Sequence, residues 1–271
     1  MNKNSNIKKN QVSFPSVRVR KEYLRYFIEL AYNGKNYHGW QKQPDAISVQ
    51  EVVEDALSKL LNRPLSIVGA GRTDAGVHAK QIFAHFDFQD EINLENLKNR
   101  LNAFLNDDVV ILSIFEVNEK AHTRFDAIAR SYEYQIYLGK NPFLLDSTWQ
   151  IKTKKLAVET MNEASKLLLD YTNFKCFSKS KTDVFTYDCN ITEAKWVVNG
   201  NMLTFHITAN RFLRNMVRAI VGTLYNVGIG KITINDFIDI IESQDRSKAG
   251  LSVPAQGLFL TKVTYPKSIY K

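Results

Sequence analysis

Residues 69–79 read Gly69-Ala70-Gly71-Arg72-Thr73-Asp74-Ala75-Gly76-Val77-His78-Ala79, GAGRTDAGVHA in one-letter code. Three glycines so close together predict a loop that bends sharply or lets another group come near its backbone. A carboxylate, Asp74, sits inside it, two residues after Arg72. Gly71 and Gly76 have the GxxxxG spacing of a phosphate loop, but Val77 and His78 stand where Lys and Ser or Thr would be required. A dinucleotide fingerprint fails as well, because its third glycine would fall on Asp74. An ionised Asp beside an Arg can act as nucleophile, as base, or as partner to charge developing on a sugar. From spacing alone, an Asx turn in which Asp74 bonds its own backbone is an equally open reading.

The flanks of this loop predict alternating strands and helices. Upstream, Tyr26, Ile28, Leu30 and Tyr32 alternate as in a half-buried strand closed by Asn33-Gly34. Ser48 with Glu51 is the capping-box start of a helix whose apolar face is Val52, Val53, Ala56, Leu57, Leu60 and Leu61. A short strand over 65–68 leads into the loop. Downstream come a strand carrying Ile82, Ala84, Phe86 and Phe88, a helix over 94–105 and a strand over 109–117. A comparable order then recurs: a strand through Tyr132, Tyr134, Ile136 and Leu138, a helix over 154–169, and a hairpin about Asn199-Gly200 in a type I′ turn. A helix over 211–227, a shorter one capped by Thr233, and a closing strand over 257–263 complete it. These elements predict an α+β protein of two similar halves, 22–125 and 126–271, fused through one continuous, mostly antiparallel sheet with helices packed on it. The cleft between the halves is the expected site. Residues 1–21 carry six Lys and Arg among Asn and Ser, and read as a mobile basic arm that either touches RNA or is simply solvated.

The chain has 271 residues, 44% of them hydrophobic and 24% charged, enough for a sizeable core. Its net charge of +8 favours a polyanionic partner. No apolar run approaches the ~20 residues of a membrane helix, and no secretory signal is visible, so the expected compartment is the cytoplasm. Cys176 and Cys189 share no metal or redox spacing and read as reduced thiols. The five histidines form no ligand pattern, and no metal or cofactor is expected.

The glycine loop resembles the catalytic loop of the TruA family of tRNA pseudouridine synthases, and further segments are similar in family order. They are Tyr37-His38-Gly39-Trp40-Gln41, Ser48-Val49-Gln50, His122-Thr123-Arg124-Phe125, Ala129-Arg130-Ser131-Tyr132-Glu133-Tyr134, Phe212-Leu213-Arg214-Asn215-Met216-Val217-Arg218 and Pro254-Ala255-Gln256-Gly257-Leu258. The resemblance implies conversion of uridine 38, 39 or 40 in the anticodon arm of tRNA to pseudouridine by a homodimer. It assigns the catalytic aspartate to Asp74 and the tyrosine that packs on uracil to Tyr132, which is also the candidate for removing the C5 proton. Arg218 becomes the arginine paired with the carboxylate. Arg72 becomes the side chain that fills the space left by the flipped base, with a phosphate contact as its alternative. Tyr134 is left out of the catalytic set. Arg211, Arg214 and Arg218, at i, i+3 and i+7, are expected on one helix face, the first two as phosphate contacts. Trp40 suits either the core or an RNA-facing surface. A catalytically idle RNA-binding or chaperone protein, and a synthase acting on another RNA, are the alternative readings.

Overall fold

A computed structural model describes residues 23–152, 156–180 and 184–271. The basic arm over 1–21 lies outside the described residues, as does Lys154 at the expected start of the third helix. The elements in chain order begin β1 (Leu24–Tyr32), α1 (Val49–Leu60), β2 (Val68–Gly69), β3 (His78–Phe88), α2 (Leu94–Phe104) and β4 (Val109–Val117). They continue β5 (Ala129–Leu138), β6 (Trp149–Ile151), α3 (Val158–Leu167), β7 (Ile191–Asn199), β8 (Met202–Ala209), α4 (Met216–Gly228), α5 (Ile234–Ser243) and β9 (Leu258–Thr264).

The fold is α+β; among the described residues nine strands form one mixed sheet of order β4-β1-β3-β9-β5-β8-β7. β2 pairs with β3, and β6 with β5. Most pairings are antiparallel; β3–β9 and β5–β6 are parallel. The β3–β9 contact is short, joining His78 to Phe259 and Ala79 to Leu260 immediately after the glycine loop. Here the run β4-β1-β3 is joined to the run β9-β5-β8-β7, so the loop stands at the seam.

Two hydrophobic clusters flank that seam. One gathers Phe27, Ile28, Leu30, Val53, Leu57, Ile82, Phe86 and Leu101 around β1, β3, α1 and α2. The other gathers Tyr134, Ile136, Phe174, Phe205, Ile220, Leu224 and Phe237 around β5, β8, α4 and α5. Each fully buried Leu, Ile or Phe contributes about 1.5–3 kcal/mol relative to exposure. β9 serves both, because Leu258 packs in the second cluster and Leu260 and Val263 in the first. Tyr265, just beyond it, packs edge-on against Phe27 and Phe83 and donates to the Thr123 carbonyl at 2.6 Å.

Local chemistry explains most boundaries. Ser48 Oγ accepts the Glu51 amide at 3.3 Å and starts α1. Thr233 and Asp236 form a reciprocal capping box on α5. Three expectations need correction. The hairpin between β7 and β8 turns through Gly200 and Asn201, and the positive φ falls on Gly200 alone, so it lacks the two left-handed residues of a type I′ turn. β2 is shorter than expected, reduced to Val68–Gly69. The helix expected from Arg211 begins only at Met216, because Asn215 takes a left-handed φ of 67° and breaks the run. Asn tolerates that conformation, and its Nδ2 donates to Ser252 Oγ at 2.6 Å. Arg211 and Arg214 therefore precede α4 and share no helix face with Arg218.

Candidate active site

The glycine loop is shaped by its neighbours. Gly69 lies against the Trp40 indole; a Cβ there would sit 2.2 Å from Nε1, so only glycine fits. Trp40 is thereby resolved as a core residue, 2% exposed. Gly76 has φ +77°, the left-handed conformation that lets the chain turn back, and its amide donates to the Tyr37 carbonyl. Gly71 meets neither demand, since a Cβ there would touch nothing within 4 Å. Thr73 is pinned on two sides. Its hydroxyl pairs with Tyr32 Oη at 2.8 Å, and its carbonyl accepts the Trp40 amide. Asp74 follows at once, with its carbonyl accepting the Val77 amide in a tight turn.

The Asp74 side chain does not fold back on this turn. Its Oδ2 accepts Arg218 Nη1 at 3.2 Å, and Arg214 Nε stands 3.9 Å from Oδ1. Arg218 comes from the first turn of α4 and is itself held, with Nε donating to the Val253 carbonyl at 2.7 Å. It is 19% exposed, against 58% for Arg214, so one arginine is a fixed partner and the other a mobile one. The arginine nearest in sequence, Arg72, is exposed and makes no hydrogen bond or ion pair among the described residues. Its guanidinium is therefore free to meet another molecule.

Tyr132 on β5 is gripped between the clusters and packs edge-on against Phe212 with centroids 5.0 Å apart. Burial, with the Asp74 charge adding to it and Arg130 opposing it, pushes the phenol up to about 12. It is thus neutral near pH 7. Tyr134 is fully buried and donates to the Pro254 carbonyl at 2.8 Å, which fits a core role. Arg211 is not brought to the carboxylate; its charge acts on Cys189 and Arg130. Both cysteines are buried and free, and burial pushes Cys176 up to about 12 and Cys189 to about 11. Among the described residues, no three His, Cys, Asp or Glu side chains converge as a metal site.

The sequence reading missed how His78 locks the loop in place. Its Nδ1 accepts the Gly34 amide at 3.0 Å, so the proton is on Nε2, which donates to the Gln256 carbonyl at 3.1 Å. The ring also stacks on Phe259 at 4.6 Å. Burial holds its pKa below the ordinary value, which keeps this neutral bridge intact near pH 7.

Asp74 thus stands on a tight turn, with its carboxylate held by an arginine 144 residues further along the chain. The profile of the family described as tRNA pseudouridine synthase matches residues 30–126 and 164–266. The chain belongs to that family. A tRNA pseudouridine synthase A of Porphyromonas gingivalis is 52% identical, covering 91% of this chain and 99% of the relative. One of Parabacteroides distasonis is 50% identical over 91% and 98% of the two chains, and one of Thermoanaerobacter sp. 40% over 88% and 98%. As a member of the tRNA pseudouridine synthase family, the protein is an isomerase. No helix among the described residues is long and apolar enough to cross a membrane.

Proposed function

We propose that the protein isomerises uridine to pseudouridine at positions 38, 39 and 40 in the anticodon arm of tRNA, as a homodimer in the cytoplasm. The observation that carries this reading is the Asp74 carboxylate held by Arg218 at the seam of the sheet, with the Tyr132 ring on the neighbouring strand β5. The bond from N1 of uracil to C1′ of the ribose breaks, the base turns, and C5 bonds to C1′. The C5 proton leaves to a base and N1 gains one, so no group is imported and nothing is oxidised. Asp74, paired with Arg218, either attacks the nucleotide or acts as a base on the sugar. The target must leave the helical stack first, and Arg72, exposed and uncommitted, suits the vacated space. Tyr132 packs on the flipped uracil and relays the C5 proton, its oxygen accepting that proton as its own hydroxyl proton passes to solvent. Because its phenol is neutral near pH 7, it does so only once that carbon is activated.

In this reading Arg214 and Arg211 contact phosphates of the tRNA, and the surplus of positive charge draws the tRNA in. Incubation with a mixed tRNA pool, followed by carbodiimide adduct formation and primer extension, tests the reading. Stops at positions 38–40 are expected. Stops elsewhere in tRNA or only in another RNA would reassign the substrate, and no stops in any RNA would leave a binding protein.

A further inference from the structure

We infer that Arg130 is a positioning residue: its guanidinium ties the lead-in of the Asp74 loop, the 122–127 turn and the end of β8 into one rigid unit, so that carboxylate and Tyr132 meet the nucleotide in register. This inference rests on the isomerase reading of the same site. Arg130 lies two residues before Tyr132 on β5 and so shares its strand face. Nη1 donates to the carbonyls of Ala127 and Asn210, both at 2.8 Å, and Nη2 to those of Arg124 at 2.7 Å and Ala70 at 3.2 Å. Four main-chain carbonyls from three separate segments thus converge on one side chain.

Each acceptor is itself fixed or leads directly to a site residue. Ala70 donates its own amide to the Phe83 carbonyl on β3 and stands four residues before Asp74. Asn210 pairs with Asn190 through its backbone, and its side chain caps the amides of Asn190 and Arg211. The 122–127 turn is closed by Asp126, which accepts the His122 amide at 2.7 Å. Of the side chains that donate hydrogen bonds, only arginine carries five N–H groups on one plane, so it can bridge acceptors spread around a fork. A lysine keeps the charge but reaches such a set as a single point, and cannot serve the part-buried Ala127 and Ala70 carbonyls together with the exposed pair.

The charge also lies where it acts on the phenol, since Arg130 opposes the upward push on Tyr132 that burial and Asp74 exert. Asp74, Arg130 and the buried surroundings of the ring are the groups that set this phenol's titration. The four carbonyls satisfy the Arg130 guanidinium without neutralising it, so its field on Tyr132 persists.

The test uses the full chain with two variants. In Arg130→Lys, deuterium exchange of amides in segments 70–76, 122–128 and 210–214 should rise about tenfold or more, while amides of β1 and α4 keep wild-type protection. Single-turnover tritium release from [5-³H]uridine tRNA should fall roughly 30- to 100-fold at saturating enzyme, with tRNA affinity nearly unchanged, as expected of misplaced reacting groups. In Arg130→Ala, guanidinium ion at concentrations too low to unfold the wild type should restore part of that loss, and methylammonium should not. Unchanged exchange in all three segments of Arg130→Lys overturns the inference. So does a loss of turnover that only parallels loss of protection throughout the core, or one that guanidinium leaves untouched. If the wild type itself releases no tritium, the substrate reading has failed, and the exchange experiment, which needs no RNA, still decides the role of Arg130.

Discussion

Arg218 reaches Asp74 from 144 residues further along the chain, Nη1 to Oδ2 at 3.2 Å, while its Nε is anchored on the Val253 carbonyl. The carboxylate is therefore oriented by a group that is not itself free to move. Removing the guanidinium would leave Asp74 with only the exposed Arg214 beside it. A hydrogen bond to a charged group contributes about 1.5–3 kcal/mol, so Arg218→Ala should lower the single-turnover rate by roughly 10- to 150-fold. Rapid-quench measurement of tritium release checks this, and a rate within a factor of two of wild type would remove Arg218 from the site.

Asp74→Asn keeps the shape of the loop and discards the charge. Isomerisation should stop, while tRNA affinity by filter binding stays within a few fold, because Arg211 and Arg214, the proposed phosphate contacts, are untouched. Turnover by Asp74→Asn close to the wild-type rate would show that the carboxylate has no chemical part.

Tyr132→Phe preserves the ring that packs against Phe212 and, with it, the proposed stacking surface for uracil. RNA binding should persist, and release of tritium should fall below a tenth of wild type, an effect of at least ~1.4 kcal/mol on the barrier. A smaller effect would give the ring a packing role alone.

Salt should weaken tRNA binding steeply, since each phosphate contact releases counterions. Arg211→Ala and Arg214→Ala should each reduce the slope of log K against log salt by about one. Identical slopes in wild type and both variants would return these arginines to ordinary solvent-facing positions.

His85 is buried and pushed down to about 4 by desolvation together with Arg25 and His122. The unfolded chain protonates this ring near pH 6.5, so between there and pH 4 it binds more protons than the folded one. Stability present above pH 6.5 is lost as the pH falls, on the order of 3 kcal/mol from this group. Urea unfolding at several pH values should show the decline, and His85→Gln should flatten it. An equally steep decline in the variant would place the effect on other groups.

Much of this was legible in the sequence because it is periodic. Alternation in Tyr26–Tyr32 and the apolar stripe through Val53, Ala56 and Leu57 lead directly to β1 and α1. Roles for the loop residues come from a family resemblance in their order, which periodicity does not supply. What periodicity does not carry is pairing at a distance. The parallel contact of His78 with Phe259, the Gly34–His78–Gln256 bridge and the Asn210 and Ala70 carbonyls bound by Arg130 each join residues remote in sequence. The arginines before α4 failed for a different reason. A helical spacing pattern runs through Asn215, and only its left-handed backbone shows that the helix has not yet begun.

β9 has a consequence for the protein's birth on the ribosome. Leu260, Val263, Tyr265 and Ile269 complete a cluster otherwise built from residues synthesised far earlier, and the seam beside Asp74 closes only when Phe259 and Leu260 pair with β3. Contacts of such long sequence separation form late, because the loop between them must be closed first. During translation the early segments therefore wait with part of their apolar surface uncovered, exposed to chaperones and to neighbouring nascent chains. A chain that lacks this strand leaves the seam beside Asp74 open.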